Sequence, residues 1–193
     1  VAAFKEAYAA MRLLEGPRHL GYVNDPADPG GETLGGIARN FWPNEEMWKV
    51  VDGAKAYANF PACLERPSML GLLEDAMAAF YLKNFWTPLL LDAVPSQALA
   101  DEIFEEAVNM GTVPAVRSLQ TVLNSLNNYS KRWPDIAPDG KMGPATVAIL
   151  QGGAAKAGML DTIRKGINCL QGAHYIESKN EKFTVGWMAR VSL

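Results

Sequence analysis

Apolar residues recur at helical spacing along almost the whole chain, and one early glycine- and proline-rich stretch interrupts them. Phe4, Tyr8, Met11 and Glu15 fall at i, i+4, i+7 and i+11, one face of a helix over residues 1–14. Gly16-Pro17 ends that helix, because proline cannot continue the hydrogen-bond ladder. Residues 18–37 are dense in Gly, Pro, Asp and Asn. They read as turns with a short β-hairpin, since Asp28-Pro29-Gly30-Gly31 supplies turn chemistry. A helix is expected over about 45–58, and another from Ser68 to Trp86, carrying the stripe Leu72, Leu73, Ala76, Met77 and Phe80. Ser96 caps a helix running through Met110, a break follows from Gly111 to Pro114, and the next helix ends near Leu126. Residues 127–143 form one long polar connection with a turn signal at Asp139-Gly140. Gly143-Pro144 then places proline at the first position of helices expected over about 144–157 and 159–178. The pattern implies a mainly α protein. A lobe of residues 1–95 carries the odd loop and a helical bundle of residues 96–193 follows, with one integrated domain left open as the alternative.

Composition narrows the class. Of 193 residues, 49% are hydrophobic and 20% charged, the balance of a folded globular chain. No run approaches the ~18 apolar residues of a membrane span. The net charge of −3 lacks the cationic footprint that phosphate binding needs, so no nucleic-acid partner is expected. With only Cys63, Cys169, His19 and His174, a His/Cys metal site is not expected, nor any cofactor, and a disulfide framework is not expected although a single bridge stays open. Lys5, Glu6 and Arg12 break any signal-peptide core, while a leader trimmed before Val1 stays open.

The residues that could do chemistry cluster early. Glu15 stands at the C-terminal end of the first helix, on its apolar stripe. In that place, partial burial and the negative end of the helix dipole both disfavour the anion, which suits a general acid, while by position alone an ordinary solvated Glu closing the helix is the leading alternative. Asp25, Asp28, Glu32 and Thr33 follow, and several carboxylates near one acid fit the two-group logic of glycoside cleavage. Gly30, Gly31, Gly35 and Gly36 permit tight turns and close approach of a polymer. Asp25, beside Pro26, reads as a turn cap. For Asp28 a turn cap and a chemical role stand even. Trp42, Trp48 and Trp86 are expected in the core rather than on sugar rings, and Gln120 with Asn124, at i and i+4, as structural amides. Asn109 either reaches a cleft or caps its helix beside Gly111.

The segments LLEG and GYVNDPADPGGETLGGI resemble the glycoside hydrolase family 108 lysozymes, also called secretion activator proteins. Their signature is a Glu-Gly-Gly-Tyr element running into a D-x-G-G-x-T-x-x-G-I loop. FYLKNFW at 80–86, ALADEIFEEAVNMG at 98–111, AVRSLQTVLN at 115–124, DGKMGPATVAIL at 139–150 and FTVGWMARV at 183–191 continue the likeness in order along most of the chain. The resemblance implies a mainly α, lysozyme-like fold with a small Gly/Pro-rich hairpin or loop, and a C-terminal peptidoglycan-binding half. It implies an N-acetylmuramidase cutting the β-1,4 bond between N-acetylmuramic acid and N-acetylglucosamine. Glu15 then takes the role of general acid, and Asp28, Gly30, Gly31 and Thr33 match the family's loop. A looser similarity to the phage-type lysozymes implies that Asp28 and Thr33 hold or activate a water. Tyr22, Gly30, Gly31 and Asn109 are expected to line the substrate groove. Two departures stand out. Pro17 replaces the family's second glycine, with Arg18, His19 and Leu20 lengthening the path to Gly21-Tyr22, and Glu105 replaces an Asp after Phe104. The alternative is a peptidoglycan-binding or secretion-associated protein that keeps the fold without catalysis. The expected partner is the peptidoglycan glycan strand, met by a monomer without membrane insertion. The site of action is the periplasm or cell wall, after synthesis in the cytoplasm, and a holin-like export partner stays open.

Overall fold

The computed structural model describes residues 2–14, 18–26, 28–178, 185, 188 and 191. Seven α-helices and one small antiparallel sheet make up the described fold, which is mainly α and lysozyme-like as expected. The chain divides into two compact units, Tyr8–Asn84, and Val1–Ala7 with Phe85–Leu193.

In the Tyr8–Asn84 unit, helix α1 (Phe4–Leu14) contributes its second half. Tyr8 and Arg12, one turn apart, both donate to the carboxylate of Glu74, at 3.1 and 3.2 Å. A tight turn over Arg18–Gly21 leads into β1 (Val23–Asn24), β2 (Glu32–Leu34) and β3 (Ile37–Ala38). The hairpin expected here is a three-stranded meander. β1 pairs with β2 through Val23–Thr33 and Asn24–Glu32, and β2 with β3 through Thr33–Ala38 and Leu34–Ile37. Its second turn is Gly35-Gly36, with φ of +54° and +81°. Both central residues of a two-residue hairpin loop of this hand need positive φ, which glycine adopts without steric cost. The buried Tyr81 hydroxyl donates to the Gly35 carbonyl at 2.7 Å and fixes the turn on helix α3 (Pro67–Tyr81). Helix α2 (Met47–Ala54) is shorter than the expected 45–58. Leu34, Ile37, Met47, Trp48, Val51, Leu64, Leu73 and Met77 form the core. The helix expected up to Trp86 changes at Tyr81 into a wider π turn over Leu82–Trp86, where the Asn84 side chain donates to the Phe80 carbonyl at 2.9 Å.

The second unit is a helical bundle. Ala2 donates to Val94 at 3.2 Å and Ala3 to the Gln97 side chain at 2.7 Å, so the N-terminal residues are stitched to the start of helix α4 (Gln97–Met110). Phe4, Trp86 and Phe104 pack edge to face with centroids 5.6–6.1 Å apart. Ser96 caps α4 as expected, its Oγ accepting from Leu99 N–H at 3.4 Å. The break after α4 is shorter than expected. Gly111 alone, at φ +93°, separates α4 from helix α5 (Thr112–Leu126), and Pro114 lies inside the first turn of α5. Proline is tolerated there because the first N–H groups of a helix have no intrahelical acceptor. Helix α6 (Pro144–Ile149) starts on proline as expected and widens into a π turn over Leu150–Ala154. Gly153 sits there close against Trp133, and a β-carbon would lie 3.1 Å from Trp133 Cε3, a tight contact. Helix α7 (Leu160–Glu177) packs on α4 and α5.

A polar seam runs through this bundle. Glu102 and Glu106 of α4, and Asn168 and Gln171 of α7, are all buried. Asn168 Nδ2 donates to Glu102 Oε2, and Arg164 Nη1 stands 3.9 Å from that oxygen. Burial, with help from the Glu105 charge, pushes the Glu102 carboxyl up to about 7 against the Asn168 bond and the Arg164 charge. Glu106 is fully enclosed, and neither of its oxygens meets a donor in good hydrogen-bond geometry among the described residues. Burial first, then the Glu102 charge, pushes it up to about 8, with Ser118 as the polar neighbour that favours its anion.

Candidate active site at the glycine-rich sheet

The small sheet and its turns gather Tyr22, Asp28, Gly30, Gly31, Glu32 and Thr33 from among the residues singled out from the sequence. Asp28, exposed at the β1–β2 connection, folds back on itself. Its Oδ1 accepts from Gly30 N–H at 2.7 Å, and its carbonyl accepts from Gly31 N–H at 2.9 Å. This is an Asx turn, so Asp28 does cap its turn, and the cap orients its carboxylate. Gly30 is required by close approach. A β-carbon there would lie 2.9 Å from Ala38 Cβ and 3.1 Å from Asp28 Oδ1. Gly31 sits at φ +67° against the Asn40 side chain, which donates to the Pro29 carbonyl at 3.0 Å. Thr33 occupies the central strand, between Val23 and Ala38, with its hydroxyl 3.5 Å from the Gly31 carbonyl. Tyr22 precedes β1 and donates its hydroxyl to Glu32 Oε1 at 2.7 Å.

Glu32 is the centre of a charge network that sequence reasoning did not assign. Its side chain is 9% exposed, and its carboxylate receives Arg39 at 2.7 Å and Lys55 at 2.8 Å. Arg39 also grips Asp52 with both terminal nitrogens, at 2.7 and 2.5 Å, while its guanidinium lies over Trp48. Burial works to raise the Glu32 pKa, but the bonds from Lys55, Arg39 and Tyr22 outweigh it and hold the carboxyl below its ordinary value. The Arg39 bonds, with Lys55, depress Asp52 far below the carboxylate range. Burial and the Glu32 bond raise the Tyr22 phenol. The network clamps β2 and the chain after β3 to the end of α2, and so holds the Asp28 turn on a fixed base. A signal for it existed. Glu32 and Leu34 share one face of a strand at period two, so an inward carboxylate in need of cations was legible.

Glu15 lies outside the described residues, as do Gly16 and Pro17. Within α1, the Nε and Nη1 atoms of Arg12 are buried with no hydrogen-bond partner among the described residues. Asn109 belongs to the other compact unit, near the C-terminal end of α4. Of the tryptophans, Trp48 and Trp86 are core residues, while Trp42 keeps 37% of its surface exposed and packs edge-on against Phe80. Cys63 is buried and Cys169 exposed, and both are free thiols. No group of side chains suited to a metal ion occurs among the described residues.

The sequence profile described as Glycosyl hydrolase 108 matches residues 12–111, just over half of the chain, and spans every element of the sheet. The chain belongs to the glycosyl hydrolase 108 family. A second profile, described as "Predicted Peptidoglycan domain", matches residues 114–192, so that Gly111 and the start of α5 lie at the seam between the two matches. Membership places the protein among glycoside hydrolases with a lysozyme-type, peptidoglycan-directed role, and peptidoglycan is its partner class. No curated protein matches the chain. Among solved structures, that of Brucella abortus SagA is similar, with a TM-score of 0.56 and 21% identity over 97% of this chain and 88% of that one. At that identity the likeness speaks for the fold alone.

Proposed function

We propose that the protein is an N-acetylmuramidase that cleaves the β-1,4 bond between N-acetylmuramic acid and N-acetylglucosamine in peptidoglycan. The observation that carries this reading is the family match over residues 12–111 on a sheet that presents Asp28 from a glycine turn too tight for any side chain at position 30. Glu15, which follows α1 in sequence, is the general acid and gives its proton to the leaving sugar oxygen. Asp28, oriented by the Gly30 N–H, holds or activates the water together with Thr33. Tyr22, Gly30 and Gly31 line the groove. Catalysis belongs to the lobe of residues 1–95 and wall binding to residues 96–193. The protein acts as a monomer in the periplasm or cell wall.

The test is hydrolysis of purified peptidoglycan, with the products identified by mass spectrometry. Wild-type protein releases muropeptides with a muramic acid reducing end. Glu15→Gln folds with an unchanged circular dichroism spectrum and releases none. Undiminished release by Glu15→Gln refutes the acid assignment. Binding by wild-type protein without any new reducing ends favours a wall-binding protein that keeps the fold.

A further inference from the structure

The long connection after α5 holds a feature that the sheet chemistry does not use. Asn128, Tyr129 and Ser130 stand consecutively at φ of +54°, +55° and +60°. Side chains of L-residues rarely adopt that region singly, and runs of three are rarer still. The strain is held by many anchors. Asn127, itself buried, accepts Ser130 N–H on Oδ1 at 3.1 Å, accepts Arg132 N–H on its carbonyl at 3.0 Å, and donates to Asp135 at 2.5 Å. Arg132 reaches the Leu126 carbonyl at 2.9 Å, and the buried Trp133 indole reaches Leu123 at 3.0 Å. Further along, Asn124 exchanges two bonds with Ile136, and Gln120 receives Gly140 N–H and donates to Asp139.

This rigid loop walls an open cavity of about 610 Å³, lined by Ser125, Asn127, Asn128, Tyr129, Arg132 and Asp135 among others. That volume lies in the range of small-molecule sites. Tyr129 is 93% exposed, so its ring is held out at the cavity by a backbone conformation that no packing of the ring itself demands. Strained backbone kept in place by its surroundings is characteristic of binding sites. The lining also says what would fit. It holds one cation and one anion, each already engaged by the bonds just given, so the cavity favours no net charge on its ligand. Its remaining polar groups are the amides of Asn124, Asn127 and Asn128 and the hydroxyls of Ser125 and Tyr129. An aromatic face beside such groups suits the apolar face and acetamido group of a neutral sugar ring, rather than an acidic peptide.

We infer that the Asn127–Asp135 cavity is a glycan-binding site that takes an N-acetylated hexosamine ring, stacked on Tyr129, of the peptidoglycan strand. This rests on the reading of the protein as a peptidoglycan hydrolase and adds a second point of attachment, within the segment matched to the peptidoglycan domain.

The experiment is co-sedimentation of the full chain with purified sacculi, and with the same sacculi stripped of stem peptides by an amidase. Wild-type protein is expected to sediment with both. Tyr129→Ala is expected to weaken both by about tenfold, as loss of a stacked aromatic anchor does, and Tyr129→Phe to keep most of the binding. Hydrolysis of short soluble glycan fragments is expected to stay at the wild-type level in both variants. Equal sedimentation of Tyr129→Ala and wild type overturns the site while leaving the hydrolase reading intact. Binding lost on stripping the stem peptides overturns the glycan assignment. Wild-type protein that neither binds nor hydrolyses sacculi overturns the hydrolase reading and this inference with it.

Discussion

Replacing Glu106 by Gln should make the protein more stable at alkaline pH, although it removes a charged residue from the middle of a helix. Glu106 is fully buried in the bundle, and its carboxyl is raised from the ordinary 4.5 to about 8. The folded protein therefore binds this proton more tightly than the unfolded chain does. Between those two values the folded state carries more protons, so stability falls as pH rises, by about 1.4 kcal/mol per pH unit. The contribution is fully present below about pH 4.5 and is lost as pH climbs to about 8, a span worth on the order of 5 kcal/mol. Glu102, raised to about 7 and electrostatically linked to Glu106, moves in the same direction over a shorter window. Gln has the shape of the neutral acid and cannot ionise. Thermal unfolding followed by circular dichroism from pH 5 to pH 9 reads the effect. At about 2–4 °C per kcal/mol for a chain of this size, wild-type Tm should fall by roughly 10 °C from this group. Glu106→Gln should show only the smaller fall that Glu102 causes, and should exceed wild type at pH 8 and above. Parallel curves for the two proteins would refute the argument, because they would mean that Glu106 ionises in the fold at no cost.

Two further predictions concern the sheet. Glu32→Gln leaves Arg39 and Lys55 facing a neutral amide and should cost about 1–3 kcal/mol at pH 7, since these cations are themselves partly exposed and screened. Because the Glu32 pKa is depressed in the fold, its contribution is present above the ordinary carboxyl value and vanishes as pH falls through the folded value, so urea midpoints of variant and wild type should differ at neutral pH and converge once the folded carboxyl is protonated in acid. Gly30→Ala must push Ala38 or the Asp28 carboxylate aside, and should lower stability by about 1–3 kcal/mol by urea titration and reduce peptidoglycan hydrolysis by more than that loss of folded protein explains.

The helices were legible because their apolar residues repeat at the period of the helix, and the caps at Ser96 and Pro144 were legible because each answers a specific backbone need. The break at Gly111–Pro114 was read too wide. Proline there looked like a stop, yet in a first turn it forfeits no bond. The π turns at Leu82–Trp86 and Leu150–Ala154 carry no mark in the helical period, and the contact of Trp133 with Gly153 in the second of them lies outside any local window. The buried carboxylates were partly visible. Glu102 and Glu106 share a helical face with Leu99 and Ile103, which places them inward. Asp28 was readable as a turn former. The Arg39–Asp52 clamp was not, because it joins residues that only the folded meander brings near α2.

The seam between the two family matches has an engineering consequence. It falls at Gly111, but α4, which precedes it, buries Leu99, Ile103, Phe104 and Ala107 in the bundle with α5 and α7, which follow it. A chimera spliced at Gly111 to graft a different wall-targeting module would therefore strip a helix of its hydrophobic neighbours and leave the graft without its third partner. Module exchange in this protein has to transplant α4 together with everything downstream.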